Sequence, residues 1–392
     1  PLLSEFFMLP THVQFDPPAA GLRGVGAAKP CPGFDARAAQ GLDRRPLTAW
    51  CGLFMRAIAV LWIGSGCAAA LAQGMPAQQP AQQPAVRSAG PADAKMLAAV
   101  VRIEAQAPRE APSNATLGRQ RLGTGVVLDS RTVLTIGYLV LETDAVDVVT
   151  VSGRRIPSSL AGYDHQTGFG LVRTAIPLDT PGLELGDSDA ATERTRVLTL
   201  GQGENELTEL VVLSRKPFAA SWEYLLDKPI YTFPPVNNWS GAALLTEDGK
   251  LIGIGSLVVN DAASDRAGVP GNLYVPTNLL KPILADLRAS GRRTGGAQPW
   301  LGMNTEMVRG NLMVTRVQRD SPADRAGIGP GDIVLAVSGD KVADQAEFYR
   351  RLFAKGPAGT EVTLRLLKAG DLREQPVRTI DRADFITRPR GI

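Results

Sequence analysis

Between Ala98 and Val275 the chain is a succession of short runs rich in Val, Leu, Ile and Thr, each bounded by Gly, Asp, Asn or Pro. VVRIEA, GTGVVLDS, TVLTIGYLV, AVDVVTVSG, GFGLVRTA, TRVLTLGQG, LTELVVLSR, PIYTFPP, AALLTEDGKLIGIGSLVVN and NLYVPT follow one another at short intervals. Many short strands at such spacing specify an all-β sandwich or barrel and leave little room for a helical bundle. The counts of Gly (41) and Pro (29) agree with a loop-rich, strand-rich chain. At 392 residues, the length suits two to three domains.

After the strand-rich region the pattern changes. Residues 276–290 (PTNLLKPILADLRAS) carry Leu279, Leu280, Ile283, Leu284 and Leu287 at helical spacing, which predicts a helix lying on the barrel. A Gly/Arg linker, GRRTGGAQ, covers 291–298. The module 299–380 then supplies further strand runs, a helix-like stretch at 344–354 and a closing strand pair. Residues 381–392 are a polar tail.

The N-terminal region does not resemble a domain. Residues 1–54 show no sustained period. Met55-Arg56, the apolar run from Ala57 and the closing Ala70-Leu71-Ala72 have the layout of a secretory signal over 55–72. The run is shorter than the about 20 residues a membrane-spanning helix needs, so cleavage is expected near Gln73 and an uncleaved anchor is the alternative. Translation from Met55 would make 1–54 upstream sequence; a genuine N-terminal extension is the other reading. Residues 73–97 are a Gln/Pro/Ala-rich linker. Export of a chain whose cysteines all precede the cleavage point (Cys31, Cys51, Cys67) suits a bacterial periplasm, and membrane association is expected only if the signal is uncleaved.

Rare residues exclude whole classes of function. The two histidines are His12 and His165, so metal sites and Cys/His catalysis downstream of residue 70 are ruled out, and neither a cofactor nor a metal is expected. Forty-two Lys and Arg against 39 Asp and Glu leave a net charge of +3, with no basic stripe interleaved with aromatics, so nucleic acid is not an expected partner.

The segment most suggestive of chemistry is Asn238-Trp239-Ser240-Gly241-Ala242-Ala243-Leu244. A turn of small residues presenting a serine between strands is how a nucleophile is exposed beside N–H groups that form an oxyanion hole. It resembles the Gly-Asn-Ser-Gly-Gly-Pro-Leu segment of trypsin-like serine proteases, and its spacing to GKLIGIGS and NLYVPT is similar to the HtrA/Deg family of periplasmic proteases. Trp300-Leu301-Gly302-Met303 and the run SPADRAGIGPGDIVLAVSGDKV resemble a PDZ domain of the same family. The resemblance implies a mainly β fold: a trypsin-like double β-barrel over 98–290 followed by a PDZ domain over 299–380.

Carried over residue by residue, the resemblance implies a degenerate catalytic triad. The family nucleophile position holds Ser240, but the histidine position holds Tyr138 and the aspartate position holds Gly168. The oxyanion positions fall on Asn238 and Ser240, with Asn238 where the family has glycine. Loss of triad members lowers turnover by about 10⁴ to 10⁶, which implies a pseudoprotease; an active endopeptidase with an unconventional base is the alternative. Tyr138 is either a ring filling the emptied cleft or a weak base. His165 is either a loop residue or a relocated base, and Trp222 and Trp239 are either barrel aromatics or substrate contacts. The PDZ resemblance implies a loop at Trp300, Leu301, Gly302 and Met303 that takes a peptide's terminal carboxylate. Implied partners are polypeptide substrates or C-terminal peptides, in envelope protein quality control, and a homo- or hetero-oligomer.

Overall fold

The computed structural model describes residues 86–87, 90, 93–204, 207–221 and 223–386; the expected signal segment, most of the linker after it and Trp222 lie outside them. The first strand, β1 (Val86–Arg87), and the helix α1 (Ala94–Ala99) bring the end of the Gln/Pro/Ala-rich segment into regular structure ahead of Ala98. Met96 and Ala99 make α1 stick, because they are buried against the barrel that follows.

That barrel is built from β2 (Val100–Gln106), β3 (Gln120–Asp129), β4 (Thr132–Ile136), β5 (Ala145–Val149), β6 (Arg155–Tyr163) and β7 (Phe169–Thr174), with a short helix α2 (Asn114–Leu117) between β2 and β3. The strands close in the order β2-β3-β4-β7-β6-β5, all neighbours antiparallel. Period-two alternation sets the register: in β2, Val101, Ile103 and Ala105 are buried while Arg102 and Glu104 are half-exposed and ion-paired outside. Strand β6 carries Pro157, Ser158, Ser159 and Gly162, a composition without apolar alternation, so hydrophobic periodicity does not reveal it.

A second barrel follows from β8 (Arg196–Leu200), β9 (Leu207–Ser214), β12 (Ile230–Phe233), β13 (Ala243–Leu245), β14 (Leu251–Val259) and β15 (Gly271–Pro276), ordered β9-β12-β15-β14-β13-β8 and closed by pairing of β8 with β9. The hairpin β10 (Phe218–Ala220) and β11 (Tyr224–Leu226) projects between β9 and β12 as a separate two-stranded sheet.

The helix expected over 276–290 is corrected. A 3₁₀ turn covers Thr277–Leu279 and the α-helix α3 begins only at Leu284 (Leu284–Ser290). Pro282 lacks the N–H that a continuous helix needs and disfavours helical geometry at Lys281, so the stretch breaks there. Leu280, Ile283 and Leu287 still reach the core, whereas Leu279 is exposed.

The C-terminal module is a sheet ordered β16-β17-β18-β20-β21, formed by β16 (Met303–Val308), β17 (Asn311–Val317), β18 (Ile333–Val337), β20 (Glu361–Lys368) and β21 (Asp371–Arg378), with β19 (Asp340–Lys341) beside β18. Two helices accompany it, α4 (Pro322–Arg325), capped by Ser321, and α5 (Gln345–Phe353), capped by Asp344. Its core gathers Leu301, Val314, Phe348, Tyr349, Leu352 and Leu364. The first residues of the expected polar tail form one more helical turn, α6 (Arg382–Phe385), whose Phe385 ring lies 4.7 Å from that of Trp300. The linker is anchored too: Arg293 pairs with Asp164 at 2.9 Å and Thr294 with Asp286 at 2.5 Å.

Candidate active site and peptide groove

Strand β4 ends at Ile136, and the 3₁₀ turn Gly137–Leu139 swings Tyr138 out of the first barrel. Buried Arg121 fixes the turn, donating to the carbonyls of Tyr138 at 2.9 Å and Leu141 at 2.5 Å. Ser240 sits on the turn between β12 and β13 of the second barrel, and its carbonyl accepts from Thr124 N–H at 2.8 Å. The two barrels thereby bring Tyr138 Oη within 2.9 Å of Ser240 Oγ, so the residues at the family's base and nucleophile positions touch.

The proton inventory gives this contact a direction. A phenol has one proton, and Tyr138 Oη lies 2.9 Å from the Ser256 carbonyl, which can only accept. Ser256 falls at a bulge between β14 and β15, where the register shifts between Gly255 and Leu257, and the phenol satisfies the oxygen that the bulge leaves out. Ser240 must then donate to Tyr138. Its proton points at a neutral phenolic oxygen, and burial pushes the Tyr138 pKa further above its ordinary value, so ionisation to a usable phenolate is disfavoured.

Gly168, at the family's aspartate position, adopts φ of +78°, and a Cβ built there would lie 3.2 Å from Tyr224 Oη. Tyr224 comes from β11 and donates to the Thr167 carbonyl at 2.7 Å, so a phenol from the hairpin occupies the ground where an orienting carboxylate would stand. His165 is not a relocated base. It packs edge-on to Tyr163 at 4.3 Å, beside Asp164 and Arg382, and burial followed by the Arg382 charge pushes its pKa down to about 3. It is also more enclosed than a surface-loop histidine, because the linker and α6 cover it: with Tyr163, Arg293 and Trp300 it lines a cavity of about 530 Å³.

Just after the oxyanion positions Asn238 and Ser240, Gly241 N–H donates to the Gly255 carbonyl and Ala242 N–H to the Trp239 carbonyl. Asn238 is exposed and tethered by its side chain to Glu204 Oε1 at 3.0 Å, and it does not adopt the positive φ that asparagine tolerates. Trp239 is buried at 6% exposure, a barrel aromatic.

In the C-terminal module, Trp300-Leu301-Gly302-Met303 forms the loop entering β16, an edge strand of its sheet. Gly302 has φ of +80° and no room for a Cβ, which would lie 2.3 Å from Ser321 Cβ. The N–H groups of Leu301, Gly302 and Met303 converge on one oxygen, Glu223 Oε1, at 3.3, 3.0 and 3.3 Å. Glu223 belongs to the tip of the β10–β11 hairpin. Leu301 and Met303 are fully buried in the module's core.

Comparison with known proteins agrees with this architecture. The family model described as a trypsin-like peptidase domain matches residues 123–254, and that of the PDZ domain matches 299–379. A trypsin-like peptidase domain followed by a PDZ domain is the arrangement that the HtrA/Deg resemblance implies. The chain is 25% identical over 269 residues to the periplasmic serine endoprotease DegP of Escherichia coli K12, covering 64% of this chain and 55% of that protein. It is 24% identical over 284 residues to a probable DegP-like periplasmic serine endoprotease of Rickettsia conorii, covering 68% and 55%. This HtrA/Deg-like chain therefore spans about half the length of the curated relatives it matches. Among solved structures, a serine-to-alanine variant of the HtrA-type protease AlgW with tripeptide shares the fold at a TM-score of 0.50 and 19% identity, covering 76% of this chain and 97% of that one.

Motif positions alone located Tyr138, Gly168 and Ser240, and two of these three meet. Tyr224, Ser256 and Glu223 were missed. Their only trace in the sequence is a single acid in the mostly apolar stretch FAASWEYLL and a small residue, Ser256, inside β14.

Proposed function

We propose that this chain is an exported HtrA/Deg-like protein with a catalytically impaired peptidase centre, which binds polypeptide segments or peptide C-termini through its PDZ domain in envelope quality control. The observation that carries the proposal is the Tyr138–Ser240 contact. Nucleophilic attack by serine needs a base that takes its proton, and here that proton is directed at a phenol whose own proton is committed to a carbonyl. The domain limits 98–290 and 299–380, and assembly into homo- or hetero-oligomers, are parts of the same proposal. Location in the periplasm is supported by the layout of 55–72 and by relatives named as periplasmic proteases.

Unfolded casein incubated with the protein from Gln73 onward, beside Ser240→Ala, tests the reading. Equal, background-level cleavage by both is the expected outcome. Cleavage by the wild type that disappears in Ser240→Ala would establish the opposite, an active endopeptidase.

A further inference from the structure

The PDZ loop that would take a peptide's terminal carboxylate already holds one. Three consecutive backbone N–H groups, from Leu301 to Met303, donate to a single carboxylate oxygen of Glu223. This is the arrangement by which backbone N–H groups capture a C-terminal carboxylate, made here by a side chain of the same chain 78 to 80 residues upstream. The rest of the hairpin follows the carboxylate onto the module. Ala219 and Leu225 pack on the PDZ core, the Ala220 carbonyl accepts from Tyr349 Oη of α5 at 2.9 Å, and Asp227 pairs with Arg350 at 2.9 Å. Gln345 of α5 donates to the outward Thr305 carbonyl of β16 at 2.6 Å, closing off an acceptor that an added strand would use. Glu223 is held at φ of +52°, a left-handed conformation that side-chain-bearing residues adopt rarely, and it is 6% exposed. A buried acid in a strained backbone at a hairpin tip is not explained by the hairpin's own pairing.

We propose that Glu223 is an internal ligand of the PDZ domain, and that the β10–β11 hairpin occupies the carboxylate loop until a peptide with a free C-terminal carboxylate and apolar last residues displaces it. The inference rests on the PDZ-binding part of the proposed function and adds its regulation.

The tethered ligand competes at a high effective concentration, and apparent peptide affinity falls by the fraction of molecules whose loop is free. Two measurements on the protein from Gln73 onward, as wild type, Glu223→Gln and Glu223→Ala, test this. The first is titration with a labelled decapeptide ending in Ala-Leu-Val, with its C-terminal amide as control. The second is hydrogen exchange at the Leu301–Met303 amides without peptide. Expected are roughly ten- to hundred-fold tighter binding of the free-acid peptide by Glu223→Ala, a smaller gain for Glu223→Gln, no gain for the amide, and faster exchange at those amides in both variants. Unchanged exchange together with equal peptide affinity overturns the internal-ligand assignment while leaving peptide binding standing. Faster exchange with no peptide bound by any variant supports the internal ligand and removes the peptide-binding reading instead.

Discussion

If Tyr138 serves structure rather than chemistry, removing its hydroxyl should cost stability. Tyr138→Phe keeps the ring and deletes two contacts of 2.9 Å, one to Ser240 Oγ and one to the Ser256 carbonyl. The first loss is mild, because Ser240 is half-buried and water can replace the phenol, at about 0.5–1 kcal/mol. The second is larger. Ser256 is 5% exposed and sits at the β14 bulge, so its carbonyl is left buried without a partner at a cost of about 1–2 kcal/mol. Together these give about 1.5–3 kcal/mol. For domains of this size the melting temperature should fall by roughly 3–12 °C. Calorimetry or urea denaturation of the two proteins reads this directly. A Phe variant that melts within about 1 °C of the wild type would refute the structural role argued for the phenol.

Other consequences follow from named contacts. Restoring the motif by Tyr138→His with Gly168→Asp is expected to leave casein cleavage at background, because the new side chain at 168 starts from φ of +78° and meets Tyr224 Oη; robust cleavage would show that the cleft is otherwise competent. Gly302→Ala forces a Cβ into Ser321 at a positive φ, and the PDZ unfolding transition should drop by at least about 2 kcal/mol, followed by Trp300 fluorescence. Two buried groups give opposite pH slopes. Burial raises the Glu223 carboxyl from 4.5 to about 7, against the pull of three N–H groups and Arg382 of α6, with Tyr349 of α5 also facing it. The folded state then holds the extra proton between those values, so stability falls as pH rises from about 4.5 to about 7. His165 is lowered from 6.5 to about 3, with Arg382 adding to burial and Asp164 opposing it, so its contribution is lost as pH falls from about 6.5 toward 3. Urea midpoints between pH 4 and 8 should rise with pH in Glu223→Gln and fall with pH in His165→Gln; parallel profiles for the two variants would contradict both assignments.

Strand positions were legible because a half-buried strand imposes a period of two, as Val101, Ile103 and Ala105 illustrate in β2. The break at Pro282 and the strand β6 were not, the first because apolar spacing outweighed a local breaker, the second because Ser and Gly at half-buried positions leave no hydrophobic pattern. Among site residues, Tyr138 and Gly168 could be placed because each stands in a motif next to a strand. Tyr224 and Glu223 could not, because their roles exist only when the hairpin folds back over Gly168 on one side and reaches Gly302 on the other. The lowered pKa of His165 depends, after its burial, on the charge of Arg382, within a segment whose composition suggested only a tail.

The claim at the centre of this account is that Ser240 has no base. Labelling by a fluorophosphonate probe, which requires an activated serine but no substrate recognition, measures that property most directly. Across pH 6 to 9 the wild-type protein should label no faster than Ser240→Ala. Labelling at Ser240 that rises with pH along a single titration would contradict it, and would identify a group that does take the proton.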